Sequence, residues 1–307
     1  MTYGSPASLE REDIRAYLKR VRDGREPRPG LVDEFTRRYR VIGRSPLIEI
    51  TRGQASALAD VLGLPVEVGM RFSEPSILAG LRALTDAGVT TVAAIILSPQ
   101  YSPMLMNGYA RAIGEARTSL GESAPDVSVA GAWHEEPALV GALARRVVEA
   151  LARLTTEDRA TVRVLMTAHS LPKPVAELEP GYLAQLRATA DAVAARAGLS
   201  DRDWTFCWQS AGHEPGEWMK PDFADLMPEI AAHGGSSVLV VPVQFLADHL
   251  EILYDVEVGA REQAERCGLG FHRIASLNDH PDLIEALARV VHRTLKPRRW
   301  AVSVARS

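Results

Sequence analysis

At 307 residues the chain is long enough for one large α/β unit or two moderate domains. Hydrophobic residues make up 46% and charged residues 24%, the balance of an ordinary soluble globular protein. The formal net charge of -4 excludes a broadly basic nucleic-acid-binding face, while leaving room for a local basic rim around an anionic small molecule.

The chain enters on MTYGSPASLERED, a polar, turn-like stretch with no apolar signal-peptide core. A helical pattern covers 13–22, and Gly43 with the RSPL turn (44–47) leads to another at 51–62. Strand and helix patterns then alternate. Strands are predicted at PVEVGMRF (65–72), TTVAAIILSPQ (90–100), VSVAGAW (127–133), VRVLMTAHS (162–170), WTFCWQS (204–210), SVLVVPVQF (237–245) and FHRIASL (271–277). The helical patterns lie at 75–87, 102–120, 137–153, 180–197, 222–233, 249–266 and 281–295. AAIIL and VLVVPV are continuously apolar rather than alternating, which predicts strands covered on both faces in a parallel sheet. The βαβ alternation predicts an α/β, doubly wound fold. A break near residue 135 divides it into two similar halves: residues 1–135 plus a returning helix within 282–300, and residues 136–281. One expected part is missing. A first half on this plan normally opens with a strand, yet TYGSP arrives as a loop with none before it.

In open α/β sheets ligands bind outside the carboxyl ends of the strands. Those ends here run into SPQYS, TAHSLP, CWQSAGHEPGEW and VQFLADHLEILYD, so ionisable groups from several strands converge. His169 fits a general base or a metal ligand, because imidazole titrates near neutrality; it fits equally a strand-end histidine satisfied by a backbone carbonyl. Ser170 makes a poor catalytic partner for it, since adjacent strand residues face opposite sides and no G-x-S-x-G elbow is present. In DHLEILYDVEVGA a helix from Asp248 places Glu251 and Asp255 on one face, with His249 at the same end. Imidazole with carboxylates suits a borderline divalent ion such as Fe²⁺. The competing reading makes Asp248 an N-cap and the acids complements to the helix dipole. Trp208 and Trp218 could stack on a flat ligand, or, for Trp208 above all, pack in the core. Cys207 and Cys267 form no C-x-x-C pair, so neither an iron–sulfur cluster nor a disulfide framework is expected, and a reducing cytoplasm is the default. No apolar run is long enough to span a membrane.

Taken in order, these blocks resemble the ferrochelatase family. YRVIGRSPL…TRGQASAL, VGMRFSEPSI, IILSPQYS, TAHSLP, CWQSAGHEPGEWMKPD, VPVQFLADHLEILYD and SLNDHP each look like a family block, and they stand in the family order over almost the whole chain. The resemblance implies two Rossmann-like domains with mostly parallel four-stranded sheets and a cleft between them. It implies insertion of Fe²⁺ into a porphyrin with release of two protons, as a step in haem biosynthesis. His169 and Glu251 match the family's catalytic and metal-side pair, and Asp255 matches a metal-relay position. Tyr3 stands where family members of Gram-positive type, which act on coproporphyrin, carry tyrosine; coproporphyrin III is therefore the expected substrate. Arg22 and Arg25 become candidates for facing its carboxylates, and Arg44, Ser45, Tyr109 and Trp218 for further porphyrin contacts. The outer relay position falls on Gly259, so that site is missing or moved to Glu257. No tightly bound cofactor is implied: iron is a substrate, the chain is expected to be a monomer, and its partners are a porphyrin, ferrous iron and other haem-pathway enzymes. A cobalt chelatase acting on a sirohydrochlorin-type ring, and a tetrapyrrole carrier without turnover, are the alternatives.

Overall fold

The computed structural model describes residues 1–212 and 216–295; the stretch 296–300 expected in the first unit lies outside the described residues. In chain order the elements are α1 (Arg11–Val21), α2 (Leu31–Val41), α3 (Leu47–Leu62), α4 (Ile77–Asp86), β1 (Thr91–Ala94), α5 (Pro103–Leu120), β2 (Asp126–Val129), α6 (Pro137–Ala152), α7 (Thr156–Thr161) and β3 (Val162–His169). They continue as α8 (Lys173–Leu178), α9 (Pro180–Ala197), β4 (Trp204–Gln209), α10 (Phe223–Ala232), β5 (Ser237–Pro242), a π-helix (Glu251–Ala260), α11 (Arg261–Arg266), β6 (Gly270–Arg273) and α12 (Pro281–Leu295).

Local chemistry sets several boundaries. The Ser102 side chain accepts from the Leu105 N–H and Pro103 opens α5, where its missing N–H costs nothing. Asp222 and Asp225 form a reciprocal capping box at the start of α10. Along α12 the buried Leu283, Ile284, Leu287, Val290 and Val291 recur at helical spacing, and this stripe packs against α3, α6 and β1.

One sheet has four parallel strands in the order β4-β3-β5-β6. Every residue of β5 is buried, as its unbroken apolar run requires when helices cover both faces. Met166, Leu239 and Val241 point into a core shared with α6, α9 and α12, while Leu165, Val238 and Val240 point to the opposite side, against α10 and the π-helix.

The other sheet departs from expectation. It consists of β1 and β2 only, paired in parallel from Thr91↔Asp126 to Ala94↔Val129. The stretch 65–72 is not a strand over its length; it makes isolated bridges at Met70, to Thr2 and to Ser76. The reason is that nothing among the described residues lies alongside Val66–Val68 to complete a ladder. The strands expected at 90–100, 127–133 and 271–277 are likewise shorter, and their carboxyl-side residues serve as loops.

Candidate active site

The carboxyl ends of both sheets face one cleft of about 520 Å³, within the usual range for small-molecule sites. Tyr3, Tyr39, Arg71 and Tyr109 line it from one side, and His169, Tyr182, Gln244, Glu251 and Asp255 from the other. Burial pushes the phenols of Tyr39, Tyr109 and Tyr182 well up, so they stay protonated near neutral pH and add no charge to the cleft.

His169 ends β3, the strand flanked on both sides. Its backbone N–H donates to Gln244 Oε1 (2.8 Å), and Gln244 Nε2 donates to the Tyr182 hydroxyl (2.7 Å). Its ring Nδ1 lies 2.6 Å from the Ser170 carbonyl oxygen, which can only accept. Nδ1 therefore carries a proton, and in the neutral ring the lone pair is on Nε2. Ser170 is buried, and its hydroxyl donates to the Met219 carbonyl (3.1 Å) while its N–H donates to Gln209 O (2.7 Å). The serine builds the turn and orients the imidazole; it is not placed as a nucleophile.

Glu251 Oε2 stands 3.7 Å from His169 Nε2. That oxygen is buried and has no hydrogen-bond partner. A buried carboxylate oxygen normally has one, and a proton on Nε2 or a cation between the two groups would supply it. Among the described residues no cluster of three or more His, Cys, Asp or Glu side chains is arranged to hold a metal ion. The pair thus offers one nitrogen and one carboxylate, both of the donor type a borderline divalent ion accepts.

The element carrying Glu251 is a π-helix rather than the expected α-helix from Asp248. Asp248 does not cap it: its carboxylate accepts from Ser276 (2.7 Å) and Asn278 (3.1 Å), fastening the loop before the helix. Glu251 and Asp255 still share the cleft-facing side. Arg38 Nη1 from α2 donates to Asp255 Oδ1 (3.1 Å). Burial, and then the neighbouring Glu251 charge, nonetheless hold the Asp255 pKa above its ordinary value. His249 turns Nδ1 to the Ala247 carbonyl (2.9 Å) and its ring toward Phe245.

Glu257, the other position considered for the outer relay, is paired with two arginines. Its carboxylate accepts from Arg273 (3.0 Å) and from Arg261, so both oxygens are committed to guanidiniums. Burial disfavours its ionised form, but the two arginines outweigh this and hold its pKa below the usual carboxylate range. A depressed folded pKa contributes stability above the unfolded value, about 4.3, and that contribution is lost as pH falls through the folded value. Glu257→Gln should therefore lower the thermal midpoint at neutral pH, with the gap to the parent protein closing below about pH 4. Melting curves across that range check it.

The expected porphyrin contacts divide. Tyr3, Ser45 and Tyr109 line the cleft; Arg22, Arg25, Arg44 and Trp218 do not. Arg25 Nε donates to the Arg22 carbonyl (3.1 Å) in the loop after α1. Arg44 pairs with Glu49 on the surface. Trp218 bridges to Pro172 and packs over Gly212, its ring centroid 6.4 Å from that of His169. Trp208 is buried against Phe206.

Several cleft residues were not singled out from the sequence, among them Tyr39, Tyr182, Gln244 and Arg71. The Arg71 guanidinium lies over the rings of Phe72 (4.5 Å) and Tyr109 (5.5 Å), at a place where a Cβ on Gly108 would overlap it. It is among the residues that line the cleft. The only sequence signal was an arginine at the end of an apolar run, VGMRF.

Comparison with known proteins bears on the family and the fold. The ferrochelatase family model matches residues 1–295. A ferrochelatase of Deinococcus radiodurans is 35% identical over 299 residues, covering 95% of this chain and 94% of that protein. A coproporphyrin III ferrochelatase of Bacillus subtilis is 32% identical over 304 residues, covering 96% of each. Among solved structures, SirB from Bacillus subtilis with Fe³⁺ superimposes with a TM-score of 0.57 at 15% identity, over 80% of this chain and 88% of that one, a likeness of fold. A family model that spans both sheets and the cleft, with relatives matching nearly end to end, shows that this chain belongs to the ferrochelatase family.

Proposed function

We propose that the chain inserts ferrous iron into coproporphyrin III, with His169 taking up pyrrole protons and Glu251 acting with it on the metal side. The observation that carries this is the His169–Glu251 pair. One ring nitrogen is pinned to a carbonyl, the other bears a lone pair, and a partnerless carboxylate oxygen lies 3.7 Å from it. Pyrrole N–H groups obstruct metal entry, and a base at that face removes the obstruction as the metal arrives. The imidazolium so formed is stabilised by the Glu251 carboxylate across the gap. The single Nε2 lone pair takes one pyrrole proton at a time, passing the first to solvent before it accepts the second; while it is protonated Glu251 is the donor of the pair that faces the ion, whose other positions go to the ring nitrogens, so the ion is substrate rather than resident cofactor.

Arg71 supports a carboxylate-bearing porphyrin. A guanidinium held between two aromatic rings is pre-organised for a carboxylate and loses little entropy on pairing. Arg71→Ala should raise KM for coproporphyrin III about 10-fold with kcat nearly unchanged, because a contact remote from the ring centre binds ground and transition states alike. Steady-state insertion rates measure it.

We further divide the chain into two Rossmann-like units, 1–135 with α12 and 136–281, on the support of the two separate sheets. Among the described residues no helix is long and apolar enough to cross a membrane; we place the protein in the cytoplasm, working as a monomer. The deciding experiment is an anaerobic panel: Fe²⁺ with coproporphyrin III or protoporphyrin IX, and Co²⁺ with sirohydrochlorin. The proposal expects kcat/KM to be highest for the first pair. Faster cobalt insertion into sirohydrochlorin would establish the cobalt-chelatase reading, and tight porphyrin binding with no metal insertion the carrier reading.

A further inference from the structure

A single side chain joins His169 to another wall of the cleft. On the β5 side of β3 the backbone ladder reaches Val243, whose N–H donates to Thr167 O (3.0 Å). The next N–H on that side of β3 belongs to His169. It goes to a side chain instead, donating to Gln244 Oε1 (2.8 Å). Gln244 Nε2 in turn donates to the Tyr182 hydroxyl oxygen (2.7 Å). Gln244 thus ties the end of β3 to α9, and all three residues line the cleft.

Chemistry fixes the direction of each bond in this chain. A backbone N–H can only donate, so the amide atom facing His169 is the oxygen. The amide nitrogen then faces Tyr182, and since it too can only donate, the phenol oxygen accepts. The phenol's own proton is left to point elsewhere. The ring is held in place, because Tyr182 is 3% exposed and packs in one cluster with Ala168, Leu186 and Trp208. Burial keeps the phenol protonated. Among the described residues no acceptor receives that proton, nor the second hydrogen of Gln244 Nε2. Two adjacent donors on the cleft wall are therefore unmatched by the protein, where buried donors normally find a partner.

We propose that Gln244 is a positioning residue and Tyr182 a ligand contact: through one amide, Gln244 holds the backbone of His169 and turns the Tyr182 hydroxyl proton into the cleft, where it donates to an acceptor atom of the bound tetrapyrrole. The identity of the ligand rests on the porphyrin function proposed above; the direction of the proton rests on the hydrogen bonds alone. A free-base porphyrin offers two kinds of acceptor, the oxygens of its carboxylates and the ring nitrogens that carry no hydrogen. A neutral donor suits this wall, because a cation there would oppose the entry of Fe²⁺. Glutamine is also the side chain the arrangement requires. An ionised glutamate could accept from His169 but has no hydrogen for Tyr182, so the phenol would donate to it and its proton would leave the cleft. An apolar side chain would leave the His169 N–H without a partner.

The test is a double-mutant cycle on the affinity for coproporphyrin III, read by fluorescence quenching, with Tyr182→Phe, Gln244→Glu and the two together. Tyr182→Phe should weaken binding about 5-fold, the worth of one neutral hydrogen bond. Gln244→Glu should weaken it at least as much in the parent, and by about 5-fold less in the Tyr182→Phe background, where the proton it redirects is already gone. The effect of the added charge is common to both backgrounds and cancels. Octaethylporphyrin, which has no carboxylates, names the acceptor: the coupling persists with it for a ring nitrogen and disappears for a carboxylate. Amide exchange at His169 reads the other end of the chain without ligand. Gln244→Leu should speed it by about 10-fold or more, while Gln244→Glu leaves it protected; equal exchange in both variants and the parent overturns the hold on His169. A parent protein that binds no coproporphyrin III would overturn the assigned substrate and the ligand role of Tyr182 together. Parental binding with an equal cost of Gln244→Glu in both backgrounds overturns the present proposal alone.

Discussion

His169→Ala is expected to slow iron insertion by about 10²–10⁴-fold, the usual worth of a positioned base, while coproporphyrin binding stays within a few-fold of the parent. The asymmetry follows from geometry. His169 is one side chain among many lining a cleft of about 520 Å³, so its loss removes little contact area. It is, however, the group whose Nε2 lone pair faces Glu251, with Nδ1 committed to the Ser170 carbonyl. Glu251→Gln keeps the shape and removes the charge that stabilises the imidazolium, and should fall in the same direction by a smaller factor. Fluorescence quenching of the free porphyrin reads binding, and anaerobic absorbance changes read insertion. Near-parental insertion in both variants would remove the pair from the mechanism.

Leu165→Ala should destabilise the protein by about 2–5 kcal/mol, the range for emptying a fully buried leucine site. Leu165 is fully buried at the middle of β3, packed with Val238, Val240 and Ile252 in the same core cluster. Ile252 adjoins Glu251, so the cavity opens beneath the element that holds the carboxylate. Denaturant titration gives the loss directly. Insertion at a temperature well below the new midpoint then separates stability from chemistry: activity should fall only modestly there if β3 keeps its register. A loss below about 1 kcal/mol would mean that the site collapses to refill the space.

Most elements were legible because their signals are local. Unbroken apolar runs such as VLVVPV identify buried parallel strands, and the stripe along 281–295 identifies α12. The helices α2, α7 and α8 were not predicted. In α2 the apolar positions are diluted by arginines and acids that lie on the solvent side or, as Arg38 does, cross to another element. The π-helix was read as α because the two differ in which carbonyl each N–H meets, and EILYDVEVGA fits either.

The candidate site divides in the same way. That His169, Glu251 and Asp255 collect at the cleft was legible, since a strand end and one helical face place them by short-range geometry, while the roles expected of them came from the family resemblance. The place of Arg71 on the cleft was not: Arg25 and Arg44 bond to their own chain neighbours, whereas Arg71 lies where Gly108, far along the chain, has no side chain to exclude it.

What the amino-acid order determined by itself was the alternation of strands and helices, the strand ends where chemistry collects, and the histidine and carboxylate that furnish them, since periodicity and turn chemistry act over a few residues. The tertiary structure alone decided that His169 presents Nε2 to an unpartnered Glu251 oxygen, that Glu257 is taken by two arginines, and that Val68 and Ala94 line one apolar cavity. Each of those depends on groups brought together from distant parts of the chain by packing, and no local pattern encodes that distance.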